Sequence, residues 1–504
     1  LALARIPLSG GAYPSASPLA NQMACLNLYP EKNPKDSPTE FTFYQRPGKL
    51  IFTDDGSNSP VRGLYTTAQD ACFAVIGRNV YRVRDGGILS NVGSINTSTG
   101  PVKFADNGVT MVLVDGSSQG YYLTLPDGGL QPLGDPTGTF TGANMFAYMD
   151  TFLIWNIPNT PTFGSTLSNT LTFDPLYTAA KTVYPDNIIG IIVNRHEILL
   201  LGFQTSEIWY NVGAAAFPFA ILPGAYIEHG CAAPYSIASQ DIEVYWLSLD
   251  KQGIGMVMCQ KGYNTSRISN HAIEAQIMKM LDAGIGIGDA IGYTYQYRGH
   301  IFYVLTFPGG DQTWVYDATI GDPEMAWHQR GWTDPATGVV HRERDNCFTY
   351  YNGQYLVGDW QKGIIYTMNN NAYFDADRGG AKNPIRCVRT FPQILQGMDQ
   401  EQQQAVIADG RQIKVNKFVA DISGGTAYGG FPSTPLTLRW STDRGYTFNS
   451  SPVSQGMGMA GEYATQPRFG GLGIGRWWVL EVSWQADARI QLNGGWVDAE
   501  VLAN

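Results

Sequence analysis

Four patterns in this 504-residue chain carry residue types able to do chemistry. Gly116-Ser117-Ser118-Gln119-Gly120 has the GxSxG spacing of a nucleophile elbow. That device needs a strand-to-helix turn that lifts the Ser over an oxyanion hole. Here the apolar runs MVLV and YYLTL flank it, so it reads as a hairpin loop. GIGIGD (284–289) is glycine-rich but lacks the third Gly that brings a helix N-terminus to a pyrophosphate. It reads as a flexible connector. The six histidines (196, 229, 271, 300, 328, 341) contain no HExxH pair and none beside two carboxylates, whereas a metal needs three or four converging ligands. His196 and His300, at hairpin tips, are expected to be solvated or interfacial. The six cysteines (25, 72, 231, 259, 347, 387) are widely spaced without a CxxC and read as buried free thiols. No catalytic residue, metal or cofactor is expected, and the chain reads as a non-enzyme.

The elements that would position such residues are strands. Gly 58, Tyr 28 and Trp 12 with only 15% charged residues describe a globular, turn-rich, aromatic all-β chain, too long for one simple core. From about 61 to 375 one unit recurs: apolar strand, tight polar turn, apolar strand. It reads CFAVI-GRN-VYRV, MVLV-DGSSQG-YYLTL and MFAY-MD-TFLIW, and later VYWLSL-DKQG-IGMVM and YTYQY-RG-HIFYVLTF. Apolar residues on both sides of each turn imply strands buried on both faces. The turns recur at the spacing of four-stranded propeller blades, which must stack to cover both faces. The reading is a β-propeller of six or seven blades over 61–380. An array of two-sheet sandwiches is the competitor, because the period drifts upward. One helical insertion is expected near 270–283: Ile273, Ile277, Met280 and Leu281 share a face, Asn270 or Ser269 caps it, and Gly284 ends it. Residues 1–60 read as an N-terminal arm or platform, and 381–504 as a C-terminal β-sandwich-like module. Within that module, 398–411 reads as a short helix or arm.

The net charge is −10, with no consecutive Lys/Arg block, so the electrostatic footprint of a protein that grips DNA is missing. Arg5 and Pro7 fall where a signal peptide needs its apolar core, so none is expected. The missing initiator Met is read as removal or as numbering from a mature end. The run 188–203 is broken by Asn194, Arg195, His196 and Glu197, which suit a hairpin tip and not a lipid span. No membrane insertion is expected.

Ser441-Thr442-Asp443-Arg444-Gly445-Tyr446-Thr447-Phe448 fits the Asp-box pattern and resembles a repeat of sialidase propellers. There the Asp and Gly shape a turn, so Asp443 and Gly445 are structural candidates. One box lies here, outside the expected propeller. Trp327, Trp332 and Trp360 lie at strand ends or loops, where core packing competes with a role as interface anchors.

A resemblance runs through the same residues. The order Gly230-x-x-x-Pro234, Tyr245-Trp246-Leu247, RISNHAIE (267–274), GHIFYVLTFP (299–308), TWVYD (313–317) and WHQR (327–330) resembles the packaged-DNA-stabilisation proteins of tailed phages. These are the tail hub or nozzle proteins of short-tailed virions. NLYPE (27–31) before Pro47-Gly48, and the Trp-rich strands near the C-terminus, resemble the same family. The resemblance implies a structural virion protein, assembled in the bacterial cytoplasm. It implies a homohexameric ring below the portal and adaptor, with tail fibres or spikes and a needle or plug as partners. The ring would close the DNA exit channel, touch DNA only transiently, and conduct it at ejection. The N-terminal arm and the loops 158–185 and 308–345 are candidates for ring or fibre contacts. An acidic wall suits sliding DNA. The alternative is a carbohydrate-binding or sialidase-like propeller.

Overall fold

The computed structural model describes residues 4–6, 8–17, 22–394, 396–399, 405–407, 410–423, 435–459 and 461–502. Among them, seven four-stranded antiparallel units follow one another along the chain, five as separate sheets and the last two as parts of larger ones. The first is Val61–Thr66, Cys72–Ile76, Asn79–Arg84 and Ile88–Ser94. The second is Lys103–Asp106, Thr110–Val114, Gly120–Thr124 and Gln131–Pro132. Three more span Phe146 to Ala180, Ile188 to Ile227 and Ala238 to Arg267. The sixth runs from Ile291–Tyr297 through His300–Phe307 and Gln312–Asp317 to Trp327–Arg330.

The apolar runs are continuous because each sheet packs on both faces. In Thr110–Val114, Met111 and Leu113 join Phe73 and Val75 of the first sheet, while Val112 and Val114 join Phe146 and Trp155 of the third. In Glu197–Gly202, Ile198 and Leu200 face the third sheet, and Leu199 and Leu201 face Val244 and Trp246 of the fifth. Successive side chains of a strand point to opposite faces, so both parities must be apolar between two neighbours. This is a β-propeller, and the sandwich array is set aside.

The ring closes with a borrowed strand. The seventh sheet holds Asp345–Tyr351, Gln354–Asp359 and Ile364–Asn369, and its fourth strand is Gly48–Asp54, with Ile364 opposite Asp54 and Asn369 opposite Gly48. The seventh sheet then packs on the first, Leu356 and Ile365 against Val61 and Leu64. The boundary placed at residue 60 therefore does not follow the hydrogen bonding. Tight turns and apolar alternation reveal a strand, but not a partner some three hundred residues away.

The N-terminal residues are built into the C-terminal sheets. Phe41–Gln45 pairs with Leu28–Lys32 and with the long C-terminal strand Gln491–Val501, which Ala4–Ile6 also joins. Gln491–Val501 pairs in turn with Ile413–Ile422. Opposite lies a nine-stranded sheet that begins as the sixth propeller sheet. It continues through Cys25–Leu26, Arg386–Thr390, Val479–Gln485 and Pro435–Ser441 to Val453–Gly456. Phe418, Phe469, Trp478, Leu480 and Leu492 fill the space between these sheets. Of 398–411, residues 400–404 and 408–409 lie outside the described residues; Gln396–Asp399 and Ala405–Ile407 are strands paired with each other, not a helix.

The insertion is a helix, His271–Asp282. The Asn270 side chain accepts the Ile273 N–H at its start, and Ile273, Ile277 and Met280 are buried beneath it. Among the described residues no helix is long and apolar enough to cross a membrane.

Candidate functional site

Two polar constellations stand out, one at the ring closure and one on the propeller axis. Pro47-Gly48-Lys49 opens the borrowed strand and carries Lys49 beneath the segment 343–345. There Lys49 Nζ pairs with Glu343 and lies 2.7 Å from Asp345 Oδ1. Arg46 Nε lies 3.1 Å from the same Glu343, and its Nη2 lies 2.7 Å from Asp375. Tyr293, on the sixth sheet, donates to Asp345 Oδ2 at 2.8 Å. Arg46 also donates to Asn27 Oδ1 at 3.0 Å, reaching the sandwich.

The charged members are almost wholly buried, so their states depend on one another. Burial alone would lower Lys49, but Asp345 and Glu343 hold its ammonium above the ordinary lysine value. Burial would raise Glu343, yet Arg46 and Lys49 bring it down to about 2. Asp345 is raised, because burial outweighs Lys49 there. Next in sequence, Arg344 Nε sits 2.9 Å from Asp359 Oδ2, and its guanidinium lies 4.8 Å over the Trp332 ring. Lys362 extends the network to Asp377, and Arg378 pairs with Asp54 at the end of the borrowed strand. The cluster has neither an orphaned nucleophile nor a group of ligands open to a metal; among the described residues no set of three His, Cys, Asp or Glu could hold one. Its chemistry is that of a clasp.

On the axis, strands from five of the seven sheets surround a cavity of about 520 Å³. Its lining includes Arg62, Lys103, Tyr235, Ser239, Tyr293 and Asn346. Arg62 is buried and spends its donors on oxygens: Gly77, Thr97, Thr99 and Gly100.

The family model described as Phage_stabilise, Bacteriophage P22 Gp10, beta-propeller, matches residues 4–373. This chain belongs to that family. The match takes in the borrowed strand and all seven sheets, and the family is one of phage tail accessory proteins involved in packaged-DNA stabilisation. No curated protein matches the sequence. Among solved structures the chain is similar to the computationally designed Ika8 protein, at 10% identity and a TM-score of 0.40, covering 63% of this chain and 99% of that one. It is also similar to the WD40 β-propeller domain of Doa1, at 10% identity and a TM-score of 0.38, covering 66% and 98% respectively.

In this phage-stabilisation propeller the residues singled out from sequence are scattered. Trp327 is fully buried, its Nε1–H donating to Ile268 O at 2.8 Å and its ring 5.4 Å from Tyr316. The N-terminal segment lies directly on it: Ala12 N donates to Trp327 O, and a Cβ on Gly11 would come within 1.8 Å of that oxygen. Trp327 is thus a core residue, not a surface anchor; a strand-end position did not reveal that the N-terminus covers it. Trp332 and Trp360 are half-buried and serve as platforms, Trp332 for Arg344 and Trp360 for Arg342 at 4.2 Å.

Asp443 and Gly445 build the turn that the Asp-box spacing implies. Asp443 accepts from Ser441 Oγ (2.6 Å), Thr447 N (2.9 Å) and Thr447 Oγ1 (2.6 Å). Gly445 has φ 89°, a left-handed conformation that costs glycine little. The slight burial of Asp443 would raise its carboxyl, but these bonds hold it below the usual range. The GxSxG stretch is the loop between the paired strands Thr110–Val114 and Gly120–Thr124, so Ser118, the serine of the pattern, sits in a hairpin with no helix after it, and its neighbour Ser117 donates to Asp115 to shape the turn. His196 is exposed, but His300 is buried and 2.7 Å from Asp317, which corrects its reading as a solvated tip. All six cysteines are free thiols.

Sequence reasoning missed Arg46, Lys49, Glu343, Asp345 and Asp375. The one available signal was the alternating-charge run His341-Arg342-Glu343-Arg344-Asp345 inside an otherwise aromatic stretch. Charge runs usually face solvent, whereas this one is turned inward against Arg46 and Lys49.

Proposed function

We propose that this protein forms the tail hub, or nozzle, of a short-tailed phage: a ring, sixfold in the simplest case, beneath the portal and adaptor. In that position it closes the exit channel after packaging, docks fibres or spikes, holds a needle or plug, and conducts DNA at ejection. The observation that carries this reading is the family match through the whole propeller, residues 4–373. The role is mechanical and not enzymatic, in keeping with a clasp of satisfied ion pairs and a GxSxG that forms a hairpin loop.

The propeller's own axis is not the DNA path. The space between the inner strands is about 520 Å³, the size of a small-molecule site rather than of a passage for a duplex. DNA would therefore pass between copies of the chain. A ring of copies needs two different patches that meet under rotation. Val183 and Tyr184 are exposed in the loop 158–185, Phe203 and Tyr226 are exposed on the fourth sheet that follows it, and Met459, Tyr463 and Ile474 are exposed on the sandwich module. Separate apolar patches of this kind suit head-to-tail contact. The N-terminal segment is less suited to docking, because its strands are built into the sandwich. A net charge of −10 favours passage over adhesion of phosphates.

Quantitative mass spectrometry of purified particles tests the reading. A copy number near half that of the portal protein is expected for a sixfold ring under a twelvefold portal. Absence from particles would overturn it.

A further inference from the structure

Lys103 has an environment that the propeller's architecture does not need. It begins the innermost strand of the second sheet and lines the axial cavity. Its ammonium has no carboxylate partner among the described residues. It faces the Tyr235 ring, 5.8 Å from the centroid, and the neutral Cys347 thiol. The second cation on this wall, Arg62, also makes no salt bridge among the described residues. Asp115, the carboxylate nearest it electrostatically, is engaged by Thr97 and Ser117. In a chain with ten more acidic than basic residues, cations this enclosed ordinarily find a carboxylate. The cavity volume lies within the range of about 300–1,000 Å³ typical of small-molecule sites.

We propose that the propeller axis is a binding site for a small oxyanion, inorganic phosphate or a phosphate monoester, held by Lys103 Nζ within the field of Arg62. Lysine serves as a compact point charge for phosphate, and Arg62, its donors already committed, contributes potential and not contact. A ligand of this kind would brace the inner strands of several sheets at once. Burial brings the Lys103 ammonium down to about 8, so a bound anion would also restore a charge that the cavity alone disfavours.

Two measurements on the full chain test this. Inorganic phosphate, compared with chloride at matched ionic strength, is expected to raise the wild-type Tm by about 2–4 °C or more and to leave Lys103→Met unmoved. Lys103→Met folds on this reading, since it removes an unpaired cation and keeps most of the volume. Formaldehyde, an uncharged aldehyde, probes the same amine without occupying the anion's place. A neutral lysine amine adds to its carbonyl carbon and expels water, and borohydride then delivers hydride to the imine and fixes the adduct. At pH 8 about a hundredfold more of the Lys103 amine is neutral than of an ordinary lysine. Peptide mapping should therefore find Lys103 at least about tenfold enriched over the surface lysines, with inorganic phosphate abolishing the excess. Equal Tm shifts in both proteins, no shift in either, or labelling spread evenly over the lysines would each overturn the proposal. A glucose titration that matches the phosphate effect would overturn it as well.

Discussion

Lys49 and Asp345 meet 2.7 Å apart with almost no solvent on either side chain. One sits on the strand that enters from the N-terminal region, the other on the first strand of the sheet it completes. Their contact is where the ring is fastened.

Removing the cation is predicted to open the fastening. Lys49→Met leaves Glu343 and Asp345 buried with less countercharge, and breaking a buried pair from one side costs about 3–5 kcal/mol. Denaturant unfolding should show that loss. A double variant, Lys49→Met with Asp345→Asn, should recover part of it, because the stranded charge goes too. A loss below about 1 kcal/mol for the single variant would show that the cluster carries no such role.

Acid should loosen the same clasp in a defined window. Glu343 is held at about 2 against an ordinary 4.5, so its folded state favours the charged form. The stability it contributes is complete above about 4.5 and is lost as pH falls towards 2, on the order of 3 kcal/mol in all. Asp345, raised by burial, acts in the opposite sense: ionising it costs the fold stability as pH rises. Glu343→Gln should flatten the fall in unfolding free energy between pH 4.5 and 2, and Asp345→Asn should steepen it. Unfolding titrations across that window distinguish the two.

Lys103 should show a dependence of the same sign as Glu343, in an alkaline window. Its folded value of about 8 lies below the ordinary 10.5, so the charged form opposes folding at neutral pH. That penalty is full below pH 8 and fades as pH rises towards 10.5. Without phosphate, Lys103→Met is expected to be more stable than wild type by roughly 1–3 kcal/mol at pH 7. Its Tm advantage should shrink steadily between pH 8 and 10.

The tryptophans should separate by depth. Trp327→Ala deletes a fully buried ring and its bond to Ile268, costing about 3–5 kcal/mol. Trp360→Ala chiefly removes the half-buried platform under Arg342, worth about 0.5–2 kcal/mol. Thermal unfolding of the two variants side by side gives the comparison, and equal losses would contradict it.

Local patterns in the sequence carried much of this architecture. The doubly apolar strand Thr110–Val114 implied a sheet packed on both faces, and Asn270 marked the helix start, because each signal is complete within a few residues. What stayed hidden depends on partners far along the chain. Gly48–Asp54 looks like any hairpin arm until Ile364–Asn369 is placed beside it. Trp327 is covered by Gly11 and Ala12, and Glu343 is neutralised by Arg46 and Lys49. For Lys103 the decisive fact is a missing neighbour, and an absence in space leaves no trace in a string of letters.

The borrowed strand also sets a timetable for synthesis. Gly48–Asp54 leaves the ribosome early, but its hydrogen-bonding partner begins at Ile364. At about 5–20 residues per second, the strand waits roughly 15–60 s with its edge unclaimed. During that interval the nascent propeller is an open arc whose first and last sheets cannot yet meet. An unsatisfied strand edge invites pairing with another chain. Neighbouring nascent copies on one message are then the nearest wrong partners, and slower translation between Val61 and Asp345 would lengthen their opportunity.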